Sequence, residues 1–158
     1  MSNVIPTTAS LEGFIQFCRT VVGIPDSVLP DDSIQFPIAY ETALEWVPVE
    51  YLKSMSPKMA VICIYNWGAS VLINFGQDNV DAEPPNNRFF ATARSSYGIN
   101  NFVAGVIEEA ADQNTSEKIA VPNSLKNLSL VDLQRLKDPY GRTALSIMQS
   151  IGTLWGLT

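Results

Sequence analysis

The residues equipped for chemistry are few and poorly grouped. The 158 residues contain no histidine, which removes the commonest general base and metal ligand and every serine or cysteine triad that depends on imidazole. Glu108 and Glu109 are adjacent, so on a strand they face opposite sides and on a helix they stand about 100° apart. Neither geometry brings two carboxylates together for acid and base work. Asp31 and Asp32 follow Pro30 and read as turn and capping residues. Asp78, Asp81 and Glu83 lie in QDNVDAEPPNN, whose spacing lacks the alternating ligands, glycine and distal Glu of an EF-hand, so a solvated loop is expected. Ser70, after Gly68 and Ala69, falls in a helical pattern without the strand-to-helix elbow of a nucleophilic serine. Cys18 and Cys63 sit in apolar runs and read as buried thiols, not as a disulfide or half a zinc site. Arg142, beside Tyr140 and Gly141, is either an anion contact at a helix start or, more simply, a surface salt-bridge residue. No glycine-rich phosphate loop occurs. Catalysis, metal binding and a cofactor are therefore not expected.

The elements that hold these residues are mostly helical. Length fits a single domain over 1–158, and the 46% hydrophobic content supplies a core that needs no disulfide or metal. Leu11, Phe14, Ile15, Cys18, Val21 and Val22 recur at helical spacing behind Ser10 as N-cap, and Gly23 and Pro25 end that helix. A second helix is expected from about Ser33, with Pro37 near its first turn and Ala39, Ala43, Leu44 and Trp46 inward. Pro48 opens a short turn of helix to about Ser54, and Ser56 followed by Pro57 reads as the N-cap and first position of the next helix. Further on, Phe89, Phe90, Ala93 and Tyr97 form the inner side of a helix over about 86–97, closed by Gly98. Ser129 and Asp138 cap two last helices, the second with Pro139 at its first position and Ala144, Leu145, Ile147, Met148 and Ile151 at helical spacing.

The stretch PKMAVICIYNWGASVLINFG, 57–76, is long enough to cross a bilayer as a helix of about 30 Å. Asn66, Ser70 and Asn74 place an amide or hydroxyl on one face at every turn, which favours the central helix of a soluble domain, with Trp67 buried. The polar stripe itself is open to three readings: a solvated edge, hydrogen bonds to a neighbouring loop, or a subunit interface.

Two segments are candidate contacts with other chains. Residues 101–121 carry a polar, turn-like cluster between apolar runs and read as a hairpin with strands at about 102–110 and 117–121, although 102–111 also suits a helix. Two strands alone are marginally stable, so Phe102, Val103, Ile119 and Val121 are expected to pack on the helices or meet another chain. The flexible apolar segment 152–158, GTLWGLT, sets Leu154, Trp155 and Leu157 around glycine, and such segments fray unless something holds them. Either the chain's own core or a partner fills that role. The expected architecture is thus mainly α, a small helical bundle around a buried central helix with a β-hairpin projection.

Ten Lys and Arg against sixteen Asp and Glu leave a net charge of −6, which disfavours binding to phosphate or anionic lipid. Met1–Ser10 lacks the basic and apolar regions of a secretory signal, and the two thiols suit a reducing cytoplasm. The ordered segments SLEGFIQFCRTVVGI, VLPDDS, NWGASVLINF, INNFVAGVIEEAADQNTSE, NLSLVDLQRLKDPYGR and SIGTLWGLT resemble a family of small virion proteins encoded among the head and neck genes of tailed bacteriophages. The resemblance runs from about residue 10 to the C-terminus and is strongest in LKDPYGR and the final segment. It implies a head-tail connector, an adaptor or head completion protein that forms a homo-oligomeric ring beneath the portal protein. Such rings usually share the twelvefold portal symmetry and meet the tail or next neck protein, so the protein would belong to the virion neck and, during assembly, the host cytoplasm. No functional residue is transferred by position. Negative charge facing a channel would let packaged DNA slide past without specific binding, and no membrane contact is expected. The rival readings are a small cytoplasmic regulator that binds a host protein, a minor head-decoration protein and, third, an enzyme of histidine-free chemistry.

Overall fold

A computed structural model describes residues 7–79, 88–101, 109–112, 115–118 and 135–151. The chain is mainly helical, with six helices among the described residues. They are α1 (Leu11–Phe17, continued by a π-helical turn over Cys18–Val22), α2 (Gln35–Trp46), α3 (Val49–Ser54), α4 (Pro57–Phe75), α5 (Phe89–Ser96) and α6 (Pro139–Gln149).

Polar caps set where three of them begin. The Ser10 hydroxyl accepts from the Gly13 N–H at 3.1 Å, Ser56 from Met59 at 3.4 Å, and the Asp138 carboxylate from Gly141 at 2.7 Å. Each satisfies an N–H that the helix itself leaves open. Pro57 and Pro139 occupy the first turn, where a missing N–H costs nothing. The end of the π-turn is a Gly23 at φ +78°, a left-handed conformation that glycine adopts without steric cost.

α4 lies between α2 and α6 and also touches α1 and α5. It is long and apolar enough to cross a membrane, yet Val61 and every residue from Cys63 to Ile73 are buried. Gly68 matters for this packing. A Cβ there would fall 2.8 Å from the Phe14 ring, so the missing side chain lets α1 press Phe14 onto α4. The Phe14 ring then meets Phe36 edge-on at 6.3 Å and stacks on Tyr40 at 5.9 Å. The Tyr65 hydroxyl accepts from the Ser10 N–H at 3.1 Å and donates to the Ser10 carbonyl at 3.2 Å, fixing the start of α1 against α4.

The turn-rich segment after α1 is organised by one cation. Arg19 donates to the Ile24 and Leu29 carbonyls at 2.9 and 2.5 Å and pairs with Asp26 and Asp31 at 3.2 and 2.5 Å. Its guanidinium lies 5.3 Å from the Phe36 ring centre. Asp31 is thus an ion-pair partner as well as a turn residue.

Several inward assignments change. Val21 is 58% exposed because i→i+5 bonding widens the turn at 18–22 and carries it off the inward stripe. In α2 the buried stripe is Phe36, Ala39 and Ala43, continued by Val47. Leu44 and Trp46 fall outside it and are 38% and 48% exposed. At the ends of α4, Met59 and Phe75 are also exposed. Tyr97 sits at the C-cap of α5 and is 36% exposed.

Strands β1 (Glu109–Asp112) and β2 (Thr115–Lys118) pair antiparallel, with Glu109 opposite Lys118 and Asp112 opposite Thr115. The pairing therefore runs into the polar cluster expected to be only a turn. The apolar arms of the expected hairpin, 102–108 and 119–121, lie outside the described residues, as does the helix expected from Ser129 up to residue 134.

Candidate functional site

Where α2 begins and α4 ends, the two helices leave a groove of about 340 Å³. Ile38, Val71 and Phe75 supply its apolar walls, with Gln35 and Gln77 at the rim. Ile34, Ile38 and Phe75 are 68%, 55% and 69% exposed. Three large apolar side chains more than half exposed on neighbouring elements form the kind of surface that marks an interaction site.

The groove is held rigidly from both sides. The Gln35 side-chain amide donates to the Gln77 carbonyl at 3.1 Å and accepts from the Gln77 N–H at 2.7 Å, a two-point clamp between α2 and the chain leaving α4. Arg94 of α5 donates to the carbonyls of Ile73 and Gly76 at 3.3 and 2.7 Å, covering the open end of α4 where a cation is electrostatically favoured. Asp78 accepts from the backbone N–H groups of Phe90 and Ala91 at 2.8 and 3.0 Å, capping α5. The solvated-loop reading of Asp78 is corrected: it is a capping residue. Asp81 and Glu83 lie outside the described residues. A Cβ on Gly76 would stand 2.4 Å from the Leu72 carbonyl and 3.0 Å from the Phe90 ring, so α5 can close on this corner only over glycine.

Chemically, this surface can bind an uncharged apolar segment. Among the described residues no charged side chain lines it. The hydrophobic effect supplies the attraction and two glutamine side chains supply polar contacts at the rim.

The polar stripe of α4 has a structural role. Ser70 Oγ and Asn74 Nδ2 donate to one oxygen of the fully buried Asp138 carboxylate, at 2.8 and 3.0 Å. The stripe thus binds the N-cap of α6, and Asn66 Nδ2 turns back to the Ile62 carbonyl at 2.8 Å. Arg135 is buried as well, at 3% exposed. Its guanidinium lies 4.1 Å from the Trp46 ring centre and 4.2 Å from that of Trp67, a cation–π arrangement that accounts for Trp46 staying outside the apolar stripe. Burial pushes the Cys63 thiol up to about 12 and raises that of Cys18 further, the latter against the opposing influence of Arg19. Thiols held protonated in this way are poor nucleophiles and poor metal ligands. Arg142 is exposed on α6.

All seven residues singled out as partner contacts, Phe102, Val103, Ile119, Val121, Leu154, Trp155 and Leu157, lie outside the described residues. The groove was not foreseen. Its signal in the sequence was Ile38, an apolar residue off the buried stripe of α2 where a surface helix should be polar. Comparison with protein-family models, curated proteins and solved structures finds no match for this chain.

Proposed function

We infer that the chain is a structural assembly subunit of a tailed-bacteriophage neck, a ring-forming adaptor that joins the portal to the tail. The observation that carries this reading is the clamped groove, uncharged in its described lining, with Ile38 and Phe75 of its walls standing in solvent and Ile34, just before it in sequence, exposed as well. A framework that spends six capping and clamping hydrogen bonds to hold an apolar surface open is suited to docking protein. The resemblance of six ordered segments to neck proteins directs the reading to a virion assembly.

In this reading the helices form a small bundle around α4, and the hairpin over 101–121 projects from it to meet a neighbouring chain. Phe102, Val103, Ile119 and Val121 give that projection its apolar contacts. The net charge of −6 leaves the lumen of such a ring unattractive to DNA, which slides through without specific binding. Portal, tail and sister subunits are the partners, and the protein acts in the virion neck after assembly in the host cytoplasm.

Co-sedimentation tests this. Purified chain mixed with portal particles of the same phage is expected to sediment with them at a fixed ratio equal to the portal's subunit number. A chain that stays in the supernatant and binds a soluble host protein as a monomer or dimer would favour the regulator reading.

A further inference from the structure

The groove and Ile151, the last described residue before the apolar C-terminal segment, lie towards opposite ends of α4. α6 runs antiparallel to α4: its first residues meet Ser70 through Asp138, while Cys63 Sγ donates to the Ala144 carbonyl at 3.9 Å. Continuing that register, α6 ends near the N-terminal end of α4, and Ile151 leaves the core there. Phe75 and the groove are at the other end. With about 1.5 Å of rise per helical residue, the two points are separated by about 28 Å along α4. A further lateral offset separates them, because the groove faces α2 whereas α6 packs elsewhere on α4.

A fully extended chain covers at most about 3.6 Å per residue, so Leu154 reaches about 11 Å from Ile151, Trp155 about 14 Å and Leu157 about 22 Å. None of these reaches the groove of its own subunit. A neighbouring subunit has no such restriction.

We propose that the groove between α2 and α4 receives the Leu154–Leu157 segment of a second copy of this chain, joined head to tail; the proposal rests on the reading of the chain as an assembly subunit. The chemistry of the two surfaces matches. Leu-Trp-Gly-Leu carries no charge, and neither do the described residues that line the groove. A volume of about 340 Å³ suits one or two side chains of an extended segment and is too small for a helix. The residues that follow the groove in sequence, Val80–Asn87, read VDAEPPNN and are a poor chemical match. A contact between unlike surfaces of identical subunits closes into a ring when its rotation closes, which is what an adaptor requires.

The test uses the full chain and its self-association, measured by light scattering and native mass spectrometry over a range of concentrations. Ile38→Glu and Phe75→Glu change exposed side chains and should leave the helical signal and melting temperature unaltered. Each, and Trp155→Ala, is expected to weaken association about 30-fold, the effect of losing one anchoring residue. Combining a groove variant with Trp155→Ala should add little, because both remove the same contact. Disulfide trapping fixes the direction: Ile38→Cys chains mixed with Trp155→Cys chains should yield a linked pair containing one of each. The proposal is overturned by a wild-type chain that remains monomeric at all concentrations, by groove variants that associate normally, or by a chain carrying both cysteines that closes internally as a monomer. Portal binding is scored separately. Binding that persists with groove variants that self-associate normally removes this proposal and leaves the adaptor reading; head-to-tail association without portal binding does the reverse.

Discussion

Replacing Asp138 by Ala removes the acceptor on which the α4–α6 contact converges. In the native protein its carboxylate, fully buried, takes Gly141 N–H at 2.7 Å on one oxygen and Ser70 Oγ and Asn74 Nδ2 at 2.8 and 3.0 Å on the other. Loss of the cap alone costs about 0.5–2 kcal/mol. The Ser70 hydroxyl can rotate towards another acceptor, but the Asn74 amide loses a charge-assisted partner in a site without ready access to water, a further cost of about 1–3 kcal/mol. The combined loss is about 1.5–5 kcal/mol, a large share of the 5–15 kcal/mol typical of a domain. Asp138→Asn separates the contributions. Its NH2 group must face either the Gly141 N–H or the Ser70 and Asn74 donors, so one side of the network is lost whichever way the amide turns, at about 1–3 kcal/mol. Urea unfolding followed by circular dichroism provides the measurement, with an unchanged m-value to show that both states keep their compactness. A loss below about 1 kcal/mol for Asp138→Ala would refute the reasoning, because the site would then have to be wet or readily rearranged.

Other variants probe the rest of the framework. Trp67, 5% exposed and packed against Arg135 and Trp46, should cost about 3–5 kcal/mol as Trp67→Ala in chemical denaturation, and a change below about 1 kcal/mol would contradict a core position. Gly141→Ala places a Cβ 2.4 Å from the Arg135 carbonyl and 2.9 Å from Ser70 Oγ, so α6 must shift; a melting temperature equal to that of the native protein would show that the contact is looser than described. Cys63 and Cys18 are held neutral in the fold by burial, with Cys63 raised from 9.0 to about 12. The folded state then keeps protons that the unfolded chain releases, so stability is fully present below about pH 9 and falls as pH rises from there towards 12, by about 1.4 kcal/mol per pH unit for each fully buried thiol. A thiol reagent at pH 8 should find both cysteines unreactive until the protein is unfolded, and rapid native-state labelling would contradict their burial. Deleting residues 154–158 should leave the helical signal and melting temperature in place while abolishing joining to portal particles; unfolding of the truncated chain would instead assign those residues to its own core.

The parts of the fold legible in the sequence were those decided locally. Ser10, Ser56 and Asp138 announce helix starts by side-chain chemistry, Pro57 and Pro139 reinforce two of them, and the stripe Ala144, Leu145, Ile147 and Met148 marks a buried face through its period. Assignments failed where geometry or a distant partner intervened. Val21 keeps its place in a pattern of period 3.6 only if the helix stays α, and i→i+5 bonding rotated it outward. Arg135 belongs to a residue type rarely buried, and only the joint approach of Trp46 and Trp67, separated by twenty-one positions in the sequence, makes its burial intelligible. Asp78 serves a helix that begins eleven residues later, beyond the reach of a local capping pattern. The groove combines residues near 35 with residues near 75, so its shape emerges only when α2 is laid on α4.

The central claim, that this is a neck subunit, is tested most directly by following the chain into the particle. If that reading holds, intact virions of a phage encoding the chain, purified and imaged by cryo-electron microscopy with the chain labelled, should retain it as a ring beneath the portal, with one copy per portal subunit. Absence of the chain from purified virions, or its distribution over the capsid surface, would contradict that claim.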